Sequence, residues 1–169
     1  MLLLLGDGTQ VPVAELPGDG PWTFVVLQPE DRGGARALTR FGRVVAPDLR
    51  GRPGWGEPPG APGFLELVDD LDQVRTRAGL GRPLLVGVGE LAQVALRAAA
   101  DQPWAWRALV LVSPATDPAT ATLDELDLPA LVVAADPASA AGTAALERLL
   151  GRLGGGPGWA GIAPDAPPR

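Results

Sequence analysis

Three carboxylates follow directly on short apolar runs. Asp48 comes after Val44–Ala46, Glu90 after Leu84–Val86 and a Gly87-Val88-Gly89 turn, and Asp136 after Ala130–Ala134. If those runs are strands, all three acids stand at carboxyl ends, the edge of an open α/β sheet where ligands bind. Glu30 and Asp31 lie close to the same edge. A carboxyl group held in an apolar pocket can keep its proton near neutral pH and serve as a general acid or base. The sequence contains no His, the usual group for that work, so any acid–base chemistry here falls to such carboxylates. Each acid also has a plainer reading. Glu90 would sit at a helix N-terminus, where negative charge is favoured. Asp48 would hydrogen-bond the loop behind it, and Asp136 would be a turn or first-turn helix residue.

The catalytic candidates are therefore Glu90, Asp48 and Asp136, and the binding candidates Gln28, Gly89, Ser113 and Trp55. Ser113 and Thr116 carry hydroxyls but have no base partner in view. Arg50 and Arg52 could hold an anion or stand as solvated surface charges. Trp55 and Trp159 could line a pocket or pack loops onto the core. Gly87-x-Gly89-x-x-Ala92 fits the dinucleotide fingerprint, but that motif wants an acidic residue near the end of the next strand, where this chain has Ser113. No cofactor is expected. With zero Cys and no carboxylate spacing typical of a metal loop, no metal site is expected either.

These residues need a scaffold, and hydrophobic periodicity supplies it. Residues 2–16 read as a hairpin turning at Gly6-Asp7-Gly8, with Val11, Val13 and Glu15 on one face. Trp22–Leu27 is a continuous apolar run, as in a strand covered on both sides. A short helix is predicted over 35–41, stopped by Gly42, and a strand over 43–46. Residues 51–63 are too rich in Gly and Pro for regular structure. Phe64, Leu67, Val68, Leu71, Val74 and Ala78 recur at helical spacing over 64–79, with Glu66, Asp69, Asp70, Arg75 and Arg77 off that stripe. A strand at 84–86, a turn at 87–90 and a helix at 91–99 follow. Strands are predicted at 107–112 and 130–134, with one helical turn between them at 123–126. Ser139 can cap a last helix on the stripe Ala141, Ala145, Leu149 and Leu153, adjoined by Leu146 and Leu150. Residues 154–169 read as a coil fixed by Trp159 and Ile162. Strands alternating with helices imply a mostly parallel sheet of about seven strands with helices on both faces. One domain over 1–153 and a Gly/Pro-rich tail over 154–169 are expected.

Composition narrows the function classes. The net charge is −6 and every basic residue is Arg, which argues against nucleic-acid binding. No apolar run approaches the roughly 20 residues of a membrane span, and the first residues lack the form of a signal peptide, so a cytoplasmic protein is expected. Abundant Gly, Pro and Ala without Lys or Asn suggest a GC-rich bacterial genome.

The order of motifs resembles the α/β-hydrolase family. A GDGT hairpin precedes the first parallel strand, APDLRGRPG follows the strand at 43–46, LLVGVGELAQVALRAAA is similar to the family's strand, nucleophile elbow and helix, and QPWAWRALVLVSPA is similar to the next helix end and strand. The resemblance covers roughly residues 2–153 and implies the family's sheet with its cap insertion and last strand missing. It also implies a degenerate triad. In the elbow pattern G-x-Ser-x-G the serine position is Gly89. The position of the catalytic His falls on Ile162, the acid on Asp136, and the oxyanion loop that usually begins His-Gly is Gln28-Pro29. Losing nucleophile and base costs a serine triad on the order of 10⁶ in kcat. Hydrolysis by the family's route is thus not expected, and besides a decayed product with no activity two readings remain. One is a pseudoenzyme that binds a small apolar molecule or a protein partner, an uncovered sheet edge permitting a homodimer. The other is a cyclase, isomerase or lyase of a specialised-metabolite pathway that works through Glu90.

Overall fold

The computed structural model describes residues 1–28, 33–58, 61–115, 123–134 and 137–155. Seven strands form one sheet: β1 (Leu2–Leu4), β2 (Gln10–Leu16), β3 (Trp22–Leu27), β4 (Gly42–Pro47), β5 (Leu84–Val88), β6 (Ala108–Val112) and β7 (Ala130–Val133). Their spatial order is β1-β2-β4-β3-β5-β6-β7. The hairpin β1–β2 is antiparallel, and β2 runs antiparallel to β4. From β4 through β7 every pairing is parallel. The predicted mostly parallel α/β sheet is therefore present, and among the described residues no strand follows β7.

The alternation of side chains across the pleat divides the core in two. Val25, Leu27, Val45, Leu85, Leu109 and Leu111 face α2 (Pro62–Arg77) and α3 (Ala92–Asp101). Phe24, Val26, Val44, Val86, Val110 and Val112 belong to the opposite face, together with Leu38 of α1 (Gly33–Leu38) and Leu146 and Leu149 of α4 (Ala140–Gly155). Because the parallel strands are covered on both sides, they read as unbroken apolar runs. Each large aliphatic side chain removed from water contributes about 1.5–3 kcal/mol.

Several boundaries move for local reasons. Helix α1 lies at 33–38, not 35–41, because Thr39 and Phe41 donate to the carbonyls of Arg36 and Leu38 and close tight turns. Helix α2 starts two residues earlier than its stripe suggests, with Pro62 in its first turn, where a missing N–H costs nothing. It stops at Arg77, and Gly79 follows at φ +65°. In α4 the buried positions are Gly142, Leu146, Leu149, Leu150 and Leu153, while Ala141 is exposed, so the stripe is rotated from the expected one. Ser139 caps this helix, its hydroxyl accepting from the Gly142 amide at 3.1 Å. The helix continues through Gly155 and so takes in the first two residues of the expected tail, and residues 156–169 lie outside the described part.

The sheet's order reverses beside β3. From β3 the chain moves outward to β4, then crosses back through α2 to β5 and onward to β6. Connections leaving in opposite directions open a crevice at the carboxyl ends of β3 and β5, the usual ligand position in such sheets.

Candidate functional site: the cleft beside the Gly89 elbow

The elbow is tighter than its sequence suggests. Strand β5 continues to Val88, a 3-10 turn covers Gly89–Leu91, and α3 begins at Ala92. Gly89 has φ +60°, a conformation glycine adopts freely and other residues rarely do. The tip is thus Gly89, and Glu90 is the first side chain beyond it. The Gly89 carbonyl accepts the amide of Ala115 at 3.2 Å, which ties the segment after β6 to the tip. A Cβ built on Gly89 would meet nothing within 4 Å, so the tip opens onto free space. Gly87 differs. A Cβ there would lie 2.6 Å from Cβ of Ala95 and 2.8 Å from Cα of Ala92. The first glycine of the would-be dinucleotide fingerprint serves close packing of α3 on β5.

An open cleft of about 370 Å³ lies beside this tip. Its apolar wall comes from Trp55 on the loop after β4, Phe64 and Leu67 of α2, Leu91 of the elbow and Val94 of α3. Two acids complete it. Glu90 sits in the first turn after the tip and Glu57 on the loop that leads into α2. Both are exposed at the cleft rather than enclosed. Oε1 of Glu57 lies 2.7 Å from where a Cβ of Gly63 would stand, which puts this carboxylate over the first turn of α2. Each acid therefore stands at the N-terminal end of a helix, where the backbone dipole favours negative charge. Neither carboxylate has a hydrogen bond or ion pair among the described residues.

Of the residues singled out in the sequence, the cleft gathers Trp55 and Glu90, with Gly89 adjoining. Gln28, half-buried at the end of β3, does not line it. Ser113 does not line it either. It is exposed at φ +42°, its amide donating to the Val133 carbonyl at 2.8 Å and its hydroxyl to the Ala134 carbonyl at 3.2 Å. Those bonds clamp β6 to β7. Asp48 receives Nε and Nη2 of Arg50 at 2.8 and 2.6 Å and the Arg50 amide at 3.2 Å. Asp136, Glu30, Asp31, Pro29, Thr116, Trp159 and Ile162 lie outside the described residues.

Two expectations need correction. Arg52 is not a solvated surface charge, and Asp70 is not on the outer face of α2. Arg52 is half-buried, and its guanidinium grips Asp70 through Nε at 2.6 Å and Nη2 at 3.0 Å while Nη2 also reaches Asp7 at 2.9 Å. The Thr9 amide, followed by Arg52, holds the Asp7 carboxyl down to about 2 from an ordinary 3.8. The loop after β4 is thereby bolted to both the hairpin and α2, which fixes the stretch that carries Trp55. Glu57 was missed in the sequence because it sits in a Gly/Pro loop without periodicity. Its one signal was its place two residues after Trp55.

Among the described residues no group of three or more carboxylates could hold a metal ion. No helix there is long and apolar enough to cross a membrane. No protein-family model matches the chain. No curated protein matches its sequence. Solved structures do match. A hydrolase from Pseudomonas aeruginosa PA01 is 24% identical over 74% of this chain and 50% of its own, with a TM-score of 0.55. An epoxide hydrolase from Vigna radiata is 29% identical over 67% of this chain and 39% of its own, at 0.52. The enol-lactonase from Burkholderia xenovorans LB400 is 18% identical over 68% and 46%, at 0.53. The chain spans half or less of the length of these proteins. With the strand order, the elbow at Gly89 and these likenesses together, the chain has the α/β-hydrolase fold.

Proposed function

We propose that this chain is a non-hydrolytic α/β-hydrolase-fold protein that binds a small apolar molecule in the cleft beside Gly89. The observation that carries the reading is glycine at the elbow tip, at φ +60°, where the fold's hydrolases present a nucleophile. Glycine there removes the attacking oxygen and relieves backbone strain of about 1–3 kcal/mol that a side chain would bear. The cleft beside the tip supports binding: its volume of about 370 Å³ suits a small ligand, and its walls are mainly apolar with three polar side chains, Glu57, Glu90 and Gln93. A cytoplasmic, bacterial role in specialised metabolism fits this reading, as does dimerisation through β7, which pairs on one side only among the described residues.

The test is a screen of small aromatic and aliphatic compounds by thermal shift and ligand-observed NMR, run beside an ester-hydrolysis assay. Binding that is lost in Trp55→Ala, with ester turnover equal to buffer, is the expected result. Turnover well above buffer, or no binding at millimolar concentration, overturns the proposal. The second reading, a cyclase, isomerase or lyase, is favoured by Glu90 lining the cleft. It requires that a bound compound be converted and that Glu90→Gln stop the conversion without stopping binding.

A further inference from the structure

The charge of the cleft narrows the class of ligand. Among the described residues, Glu57 and Glu90 are the charged ones that line it, and no arginine does. Other described acids without an ion pair, Asp19, Glu66, Asp69, Asp124, Glu125 and Asp127, stand exposed away from this cleft, and the remaining ones are neutralised locally. Asp7 and Asp70 share Arg52, and Glu15, Asp48, Asp72, Asp101 and Glu147 each meet an arginine within 3.2 Å or less. Arg50 and Arg52, the arginines nearest in sequence to Trp55, are turned away and held by Asp48, Asp70 and Asp7. Two like charges facing one cavity repel each other, and the helix ends beneath them offset only part of that cost. The half-buried Trp55, whose ring face attracts cations, lines the same cleft. An apolar wall, an indole and two unpaired carboxylates form the complement of an organic cation with an apolar body.

We infer that the cleft selects a cationic small molecule, an amine or quaternary ammonium carried on an apolar group, seated in the cleft that Trp55, Glu57 and Glu90 line. This rests on the proposal that the cleft is a binding site and adds the sign of the ligand's charge. A neutral ligand would leave both carboxylates facing an apolar group. An anion would meet them directly.

The experiment uses three probes of similar shape: phenethyltrimethylammonium, its neutral tert-butyl isostere in which carbon replaces nitrogen, and 3-phenylpropionate. Calorimetry or NMR titration on the full chain at low salt reads the affinities. The cation is expected to bind about tenfold or more tighter than the neutral isostere, and the anion weakest, as an exposed cation–π contact and two partly screened charges would give. The Glu57→Gln/Glu90→Gln double variant should bring the cation down to the affinity of the neutral probe, and 0.5 M salt should weaken the cation alone. The double variant Glu66→Gln/Glu125→Gln removes the same net charge from exposed sites off the cleft and should change nothing. Equal binding of cation and neutral isostere overturns the inference while leaving the apolar cleft intact. An equal loss in the Glu66/Glu125 control overturns it too, by assigning the preference to net charge. Failure of all three probes to bind a folded protein overturns the binding site itself.

Discussion

Arg52 holds Asp70 in a two-pronged ion pair at 2.6 and 3.0 Å, with side chains 12% and 5% exposed. The pair joins the loop after β4 to the middle of α2 and so sets where Trp55 stands. Its strength is conditional. Two charges withdrawn from water lose solvation that their attraction barely repays, so the pair adds little net stability over a well-packed apolar pair. Removing Arg52 leaves Asp70 buried and unpaired, whereas removing Asp70 leaves Arg52 its bond to Asp7.

Asp70→Asn, which leaves Arg52 its bond to Asp7, should cost less than Arg52→Met, which alone should cost about 3–5 kcal/mol. For a chain of this size that is a fall in Tm of roughly 6–20 °C. The Arg52→Met/Asp70→Leu double variant should recover most of the loss while still binding cleft ligands more weakly, because the Trp55 loop is no longer anchored by directed bonds. Calorimetric melting of the three variants checks this. Additive losses in the double variant would show that the residues do not act as a pair.

Asp7 adds a pH dependence of known sign. Its carboxyl is held at about 2 in the folded chain against an ordinary 3.8. A depressed carboxyl stabilises the fold fully above the unfolded value and loses that contribution as pH falls through the folded one. Stability should therefore decline between about pH 4 and pH 2, and Asp7→Asn should flatten that part of the profile while leaving the slope above pH 5 unchanged. Because Asp7 is exposed, 0.5 M salt should shrink the difference. Denaturant melts at half-unit pH intervals measure it. A profile that Asp7→Asn leaves unaltered would remove Asp7 from the account of acid unfolding.

Most of the sheet was legible because parallel strands covered on both faces must be continuous apolar runs, as in Trp22–Leu27 and Ala108–Val112. The elbow was legible because β5, two glycines and an apolar helix follow one another without a gap. What periodicity could not express was pairing across distance. Asp70 sits in the sequence as one more acid on α2, and only the return of the loop after β4 brings Arg52 to it. Glu57 was hidden for the same reason: nothing local to a Gly/Pro loop says that it will line a cleft together with Glu90. The start of α2 at Pro62 also escaped the apolar stripe, since it depends on a backbone preference.

Gly87 should prove the least replaceable residue of the elbow. A methyl group there would press on backbone and side-chain atoms of α3, at 2.8 Å from Ala92 Cα and 2.6 Å from Ala95 Cβ. Strand and helix would have to separate, and overpacking of that kind costs about 1–3 kcal/mol. Gly87→Ala is expected to lower Tm by roughly 2–12 °C. Gly87→Val should fall further or fail to fold. A Gly87→Ala variant as stable as the native chain would mean that α3 has slack against β5.

Gly89→Ser separates the role of the backbone from that of the missing chemistry. The new Cβ meets no atom within 4 Å, so the cost is that of holding a non-glycine residue at φ +60°, about 1–2 kcal/mol. The variant should fold, with Tm lower by roughly 2–8 °C. It should gain no ester hydrolysis over buffer. A serine hydroxyl attacks only when a base removes its proton, and losing the base costs a triad about as much as losing the nucleophile. The sequence offers no His for that role, and Glu90, the next residue along, is an exposed carboxylate turned to the cleft. Stopped-flow assays with an activated ester decide the matter. A burst of product stoichiometric with protein would show that some group already stands ready as the base, and would reopen hydrolysis as the ancestral chemistry still latent in this chain.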